Sequence, residues 1–158
     1  MKKIYLAAVV IANATFSLYS CKDEYTLCDL SKDVRFIGAF YRKVGSNDVL
    51  SPAPSLSIRS LDTGPFLYSQ QPNVDQFGLS LSSVIDSAKF VITIAGSSPT
   101  DTVTIVYSSL GENLSTECGS ITTHNITKLT STINTIDSVK IIKAFINNVP
   151  SLNAKIYY

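Results

Sequence analysis

The sequence predicts an all-β protein: a single two-sheet antiparallel sandwich, immunoglobulin-like or similar, spanning residues 32–158 behind an N-terminal tether. Three observations carry this. Apolar residues recur at every second position in one run after another. The runs are short and separated by Gly, Pro and Ser clusters. No stretch of helical period carries caps at both ends. At 158 residues and 45% hydrophobic content the chain can fill one core, and 16% charged residues is too few for intrinsic disorder.

The elements follow in order. Val34, Phe36, Gly38 and Phe40 alternate with Arg35, Ile37, Ala39 and Tyr41, which predicts the first strand. Leu56 and Ile58 follow the Pro52-Ala53-Pro54 break, and Gly64-Pro65 introduces a short run at Phe66-Leu67-Tyr68. Phe90, Ile92 and Ile94 alternate with Val91, Thr93 and Ala95; Gly96-Ser97-Ser98-Pro99 reads as a turn, and Val103, Ile105 and Tyr107 return. Ser108-Ser109-Leu110-Gly111 reads as a break before a strand at Ile121–Ile126. Between Ile136 and Ile146 the spacing of Ile136, Val139, Ile142 and Phe145 fits a helix, but the β-branched content favours a strand. Leu152, Ala154, Ile156 and Tyr158 form the last run, giving about eight strands, a number suited to two packed sheets.

The first 20 residues have a different character. Met1-Lys2-Lys3 is a basic opening, and Ile4–Leu18 is an apolar stretch of about 15 residues, shorter than the ~20 that a spanning helix needs. This is the pattern of a signal peptide. Leu18-Tyr19-Ser20-Cys21 resembles the bacterial lipobox, although Tyr19 is bulkier than the usual residue there. The resemblance implies cleavage before Cys21, a diacylglycerol thioether on its sulfur and an acyl chain on its amine, an anchor strong enough to be stable. The expected organisation is a lipoprotein signal peptide at 1–20, a lipidated tether at 21–31 and the sandwich at 32–158. Lys22-Asp23-Glu24 resembles the acidic start of surface-exposed lipoproteins of Bacteroidota and lacks the aspartate that retains lipoproteins in the inner membrane. The expected address is therefore the cell envelope at the outer membrane, on either its periplasmic or its surface face.

If Cys21 is lipidated, Cys28 and Cys118 remain as a candidate disulfide, which an oxidising compartment would permit; two free thiols are the alternative. Taking Lys2 and Lys3 from the 13 basic residues leaves 11 against 12 acids, so the mature chain is not a nucleic-acid binder by charge.

The order of lipobox, early cysteine, Arg35 with Phe40-Tyr41, the Leu56-Ser57-Ile58 run, Asp101-Thr102-Val103-Thr104-Ile105 with Tyr107, Cys118-Gly119 and Lys155-Ile156-Tyr157-Tyr158 resembles a family of small lipoproteins of unknown function from Bacteroidota. The likeness spans the mature chain. It implies an all-β lipoprotein, often encoded beside an outer-membrane protein, and brings no activity, cofactor or catalytic residue with it.

Direct signals for chemistry are few. His124 is the only histidine, so a multi-histidine metal site is ruled out and a strand-face role is expected for it. No Gly-x-Ser-x-Gly elbow, calcium loop or phosphate loop occurs, and no cofactor is expected. Asp86-Ser87-Ala88, Asp101-Thr102-Val103 and Asp137-Ser138-Val139 resemble the Bacteroidota O-glycosylation motif, which makes Ser87, Thr102 and Ser138 candidate acceptors. Equally, Asp-Ser and Asp-Thr pairs open strands by bonding turn backbone. The Asn113 and Asn125 sequons are chance matches on this reading.

Two functions are expected. The first is a non-enzymatic module, held to the membrane by its lipid, that binds an outer-membrane protein or a glycan or donates an edge strand such as Leu152–Tyr158. The alternative is an envelope hydrolase whose triad or carboxylate pair is assembled only in the fold.

Overall fold

A computed structural model describes residues 28–95 and 99–158. The leader, Cys21 and most of the expected turn at 96–99 lie outside the described residues. Eleven strands occur among the described residues: β1 (Phe36–Val44), β2 (Asn47–Leu50), β3 (Ala53–Ser60), β4 (Phe66–Val74), β5 (Gln76–Leu79), β6 (Ser87–Ile94), β7 (Asp101–Ser115), β8 (Gly119–Ser131), β9 (Ser138–Ile141), β10 (Phe145–Ile146) and β11 (Ala154–Tyr157). They form two sheets that share one core, as the alternation predicts.

The larger sheet runs β10-β8-β7-β6-β3-β4 and is antiparallel throughout. In the smaller sheet β11 lies between β9 and β1, while β5 and β2 share the far side of β1. The β1–β11 pair is parallel, a departure from the purely antiparallel expectation. A parallel neighbour needs a long crossover, and here the whole larger sheet supplies it.

The chain changes sheets six times, between β2 and β3, β4 and β5, β5 and β6, β8 and β9, β9 and β10, and β10 and β11. Phe40 holds the first two corners: its N–H donates to Asp75 O and its carbonyl accepts from Ser51 N, each at 3.0 Å. Inward-facing Phe36, Phe40, Leu79 and Ile156 meet Leu56, Ile58, Phe90, Ile92, Ile105 and Tyr107 of the opposite sheet, all buried. Phe77 lies flat on the backbone of β1, where a Cβ at Gly38 would come within 2.6 Å of its ring. Glycine is required there for close approach, not for its dihedral freedom.

Three stretches differ from expectation. Ser108–Gly111 is no break: β7 continues to Ser115, and the turn comes at 116–118. Along β7 this outer half is exposed at every position from Ser108 to Asn113 and carries no apolar alternation, whereas Ile121 and Thr123 on its partner β8 are buried. Ile136–Ile146 is neither one helix nor one strand; it supplies β9 to the small sheet and β10 to the large one. Strand β4 runs on through Pro72, tolerated because β4 is an edge with no partner for the missing N–H.

Two buried polar side chains fix the crossings. Asp101, 1% exposed at the start of β7, accepts four hydrogen bonds. Oδ1 takes the Thr132 hydroxyl (2.7 Å) and Asn134 N (2.8 Å), and Oδ2 takes Thr135 N (2.7 Å) and Ile136 N (2.9 Å). Burial acts to raise this carboxyl, but the backbone bonds from Asn134 and Ile136, with Thr132 and Thr135, outweigh it and hold it below the ordinary range. Asn153, also buried, accepts from Ile37 N at 2.8 Å and donates to the carbonyls of Lys143 (3.0 Å) and Phe145 (3.3 Å). The expected disulfide is present: Cys28 and Cys118 are bonded with their Cα atoms 4.9 Å apart, tying the segment before β1 to the hairpin turn.

Asp101→Ala leaves three backbone donors without their acceptor, at roughly 1–3 kcal/mol for each donor that stays dry. The expected loss in urea denaturation is about 3–5 kcal/mol, with Asp101→Asn recovering only part; a loss below about 1 kcal/mol would show that water or a rearranged loop replaces the carboxylate. Removing the disulfide by Cys28→Ser with Cys118→Ser should lower stability by about 4 kcal/mol in the chain-entropy limit, read as a drop in the denaturation midpoint.

Candidate functional site

The strand registers place several connections at one end of the sandwich. Phe36 pairs with Leu79, Ser60 with Phe90, and Ser87 with Val106. Residues 28–35, the 61–65 turn, the 80–86 loop and the projecting β7–β8 ribbon therefore gather where β1 begins. Asn148 Nδ2, donating to Ser31 O at 3.0 Å, brings the 147–152 loop to the same place.

Three clefts open at this end among the described residues; one of about 480 Å³ lies between the 83–86 loop and Tyr107–Ser109, and the other two both border Arg35. Of those two, the first, about 350 Å³, is lined by Asp33, Arg35, Tyr68, Gln76, Phe77 and Asn147, among others. The second, about 490 Å³, has an apolar wall of Leu67, Leu81, Ile85 and Phe90, with Arg35, Asp62 and Thr63 among its polar residues. Arg35 lies across Gly78, where an added Cβ would meet its Cδ at 3.5 Å, and its guanidinium is ion-paired with Asp33. Tyr68 closes the free edge of β5: Gly78 N donates to its hydroxyl at 3.0 Å, and the hydroxyl faces Gly78 O at 3.4 Å. That satisfies backbone groups an edge strand would otherwise leave open. Each of these two clefts is of a size to take a sugar residue, a peptide side chain or a small ligand. The planar donor fork of Arg35 borders both.

His124 sits on the inward face of β8, between β7 and β10, and is 3% exposed. Nδ1 is hydrogen-bonded to the Oγ of its cross-strand partner Ser109 at 2.9 Å, and the ring stands edge-on to Tyr107 at 5.2 Å. Burial lowers its pKa, which favours the neutral ring. Among the described residues no carboxylate hydrogen-bonds the imidazole, and no group of three His, Cys, Asp or Glu side chains is placed to hold a metal.

A third cluster lies on the outer face of the small sheet. Asp48 Oδ2 accepts from Lys155 Nζ (2.9 Å) and from the Tyr157 hydroxyl (2.8 Å), and Lys43 Nζ lies 2.5 Å from Oδ1, an oxygen with no aligned hydrogen bond. Bonding to Lys43, then Lys155 and Tyr157, holds this carboxyl far below the usual range. The lysines also lie over aromatic rings, Lys155 above Tyr41 at 4.5 Å and Lys43 above Tyr157 at 5.2 Å. The cluster stitches β2, β1 and β11 together with its polar groups already engaged.

The three candidate glycosylation acceptors do not converge. Ser87 and Thr102 are half-buried within β6 and β7, and Ser138 is exposed at the start of β9. Sequence reasoning gave Asp33 and Asp62 no role, met Tyr68 only within a short run, and met Arg35 only within a strand and the family resemblance. The available signal was Gly78, a glycine within a strand, which often marks close approach by another group.

Stability should follow these three groups with pH. A pKa lowered in the fold means the unfolded chain binds more protons, so stability falls as pH falls. The His124 contribution is complete above 6.5 and lost below it, while those of Asp48 and Asp101 are complete above 3.8 and lost below it. Urea midpoints should decline between pH 7.5 and 5.5, and His124→Gln should flatten that decline while keeping the drop at lower pH. An unchanged slope in the variant would show that another group titrates there.

Residues 55–158 match the model of a family described as "Family of unknown function (DUF6452)". No curated protein and no solved structure matches the chain. The match starts inside β3, although β1, at the middle of the small sheet, lies upstream; the folded unit therefore extends beyond the matched segment. The chain belongs to the family of unknown function DUF6452.

Proposed function

We propose that this is a lipid-anchored cell-envelope protein, held at the outer membrane through Cys21, whose sandwich is a non-enzymatic binding or structural module for another envelope protein or a glycan. The observation that carries the proposal is the Cys28–Cys118 disulfide. Such bonds persist in oxidising compartments and are rare in the cytosol. It begins seven positions after Cys21, the residue at which the leader-like segment and its lipobox end. The resemblance to Bacteroidota lipoproteins supports the same address, and the clefts beside Arg35 supply a surface for a partner. Ser138, exposed on β9, is the acceptor best placed for O-glycosylation. Strand donation by Leu152–Tyr158 is dropped from the proposal, because β11 is paired on both sides, to β1 and to β9.

The alternative, an envelope hydrolase, draws on the Ser109–His124 pair. An exposed hydroxyl beside a neutral imidazole is two parts of a triad. Here the imidazole is sealed within the sheet and also serves as core. If the pair were catalytic, Ser109→Ala would abolish labelling by a serine-directed fluorophosphonate probe while leaving the urea midpoint nearly unchanged; wild-type protein that takes up no label removes the serine hydrolase.

Mass spectrometry of the natural protein should find a mature N-terminus at Cys21 carrying acyl chains. Cross-linking in intact cells should recover one dominant envelope partner, and that yield should fall in Arg35→Ala. An unmodified thiol at Cys21 would overturn the anchor, and recovery of the monomer alone would overturn the binding role.

A further inference from the structure

Exposed apolar side chains are not spread evenly over the sandwich. Of the five most exposed large apolar side chains, Val84 (90% exposed), Leu110 (70%), Phe66 (63%) and Val149 (61%) belong to the end where β1 begins, and Ile133 (78%) lies in the β8–β9 connection. Leu30 is exposed there too, on the segment that leads into β1. The four at this end come from the loop before β6, the ribbon, the first residue of β4 and the 147–152 loop, four separate connections that share little except this end. The same end holds Cys28, locked to Cys118 in the hairpin turn.

From this placement we infer that this end is a lipid-contacting face, lying against the bilayer with Val84 and Val149 inserted among the acyl chains. The inference rests on the lipid-anchored reading proposed above. Seven positions separate Cys21 from Cys28. Fully extended they span at most ~25 Å, so an acylated Cys21 keeps this end of the sandwich beside the bilayer. A large apolar side chain left bare in water loses the favourable transfer it would gain in hydrocarbon, and the tether presents such side chains to hydrocarbon. Asp29, Asp33, Asp62 and Asp86 also lie at this end, so contact is driven by apolar insertion and not by attraction to anionic lipid.

The chain contains no tryptophan, so single substitutions report without background. The lipidated protein, purified from its own membranes, would be reconstituted into phosphatidylcholine vesicles containing brominated acyl chains. Val84→Trp and Val149→Trp should lose fluorescence, while Val49→Trp in β2 and Ile133→Trp in the β8–β9 connection, both far from this end, should keep theirs. Added salt should leave the quenching unchanged. Protein that floats with the vesicles but shows no quenching at positions 84 and 149, or equal quenching at all four, overturns the docking and leaves the anchor standing. Protein that does not float overturns anchor and docking together.

Discussion

The fold depends on one carboxylate accepting four donors. Asp101 opens β7 in the large sheet, yet all of its partners lie more than thirty residues on, at 132–136. By holding those amides it turns the chain out of β8 and seats Ile136 in the core. Asp137 N then donates to Tyr157 O at 2.8 Å, β9 pairs with β11, and β11 lies parallel to β1. Asn153 repeats the device at the other end of β11, joining Ile37 to the carbonyls of residues 143 and 145. Apolar packing says which face of a strand turns inward, but a two-residue slip keeps that face inward and is resisted weakly. Two buried polar groups that can be satisfied in only one arrangement add that selection.

What the sequence discloses follows the range of the interaction. The β6–β7 pair is legible because Phe90, Ile92, Val103 and Ile105 announce their inward faces within a few residues of each other. The cysteine pairing is legible by elimination once Cys21 is assigned to lipid. Asp101 is not legible: locally it opens a strand as any Asp-Thr does, and the glycosylation-like tripeptide conceals that its carboxylate is spent inside. The clefts are equally hidden, since Arg35, Tyr68 and Gly78 lie far apart along the chain and meet only because the chain changes sheet between β4 and β5. His124 is an intermediate case. Its strand was anticipated, but its hydrogen bond to Ser109 depends on the β7–β8 register.

The β7–β8 ribbon sets a separate problem. Beyond Tyr107 two strands project with little sheet beside them, and an isolated two-stranded hairpin is marginal in water. A disulfide at its turn is where a covalent restraint does most, because it closes a 90-residue separation and joins the least supported element to the start of the domain. The restraint also acts in reverse. The segment before β1, which packs few side chains of its own, inherits the position of the ribbon.

If Cys21 carries the proposed lipid, then anchor, clefts and exposed apolar side chains share an end, and that arrangement narrows the proposed partner. An acyl anchor at Cys21 with the tether end against lipid makes the clefts beside Arg35 open at the membrane interface, not toward the bulk phase. A long soluble glycan approaching from solution would have to enter between the domain and the headgroups, displacing apolar contacts to do so. A protein already embedded in the same membrane meets no such barrier, and confinement to one plane raises its effective concentration. Among the two classes of partner proposed, the proposed anchor and docking together therefore favour an outer-membrane protein that presents a loop or rim at the interface, with Arg35 and Asp33 offering polar contacts and the Leu67–Ile85–Phe90 wall the apolar ones.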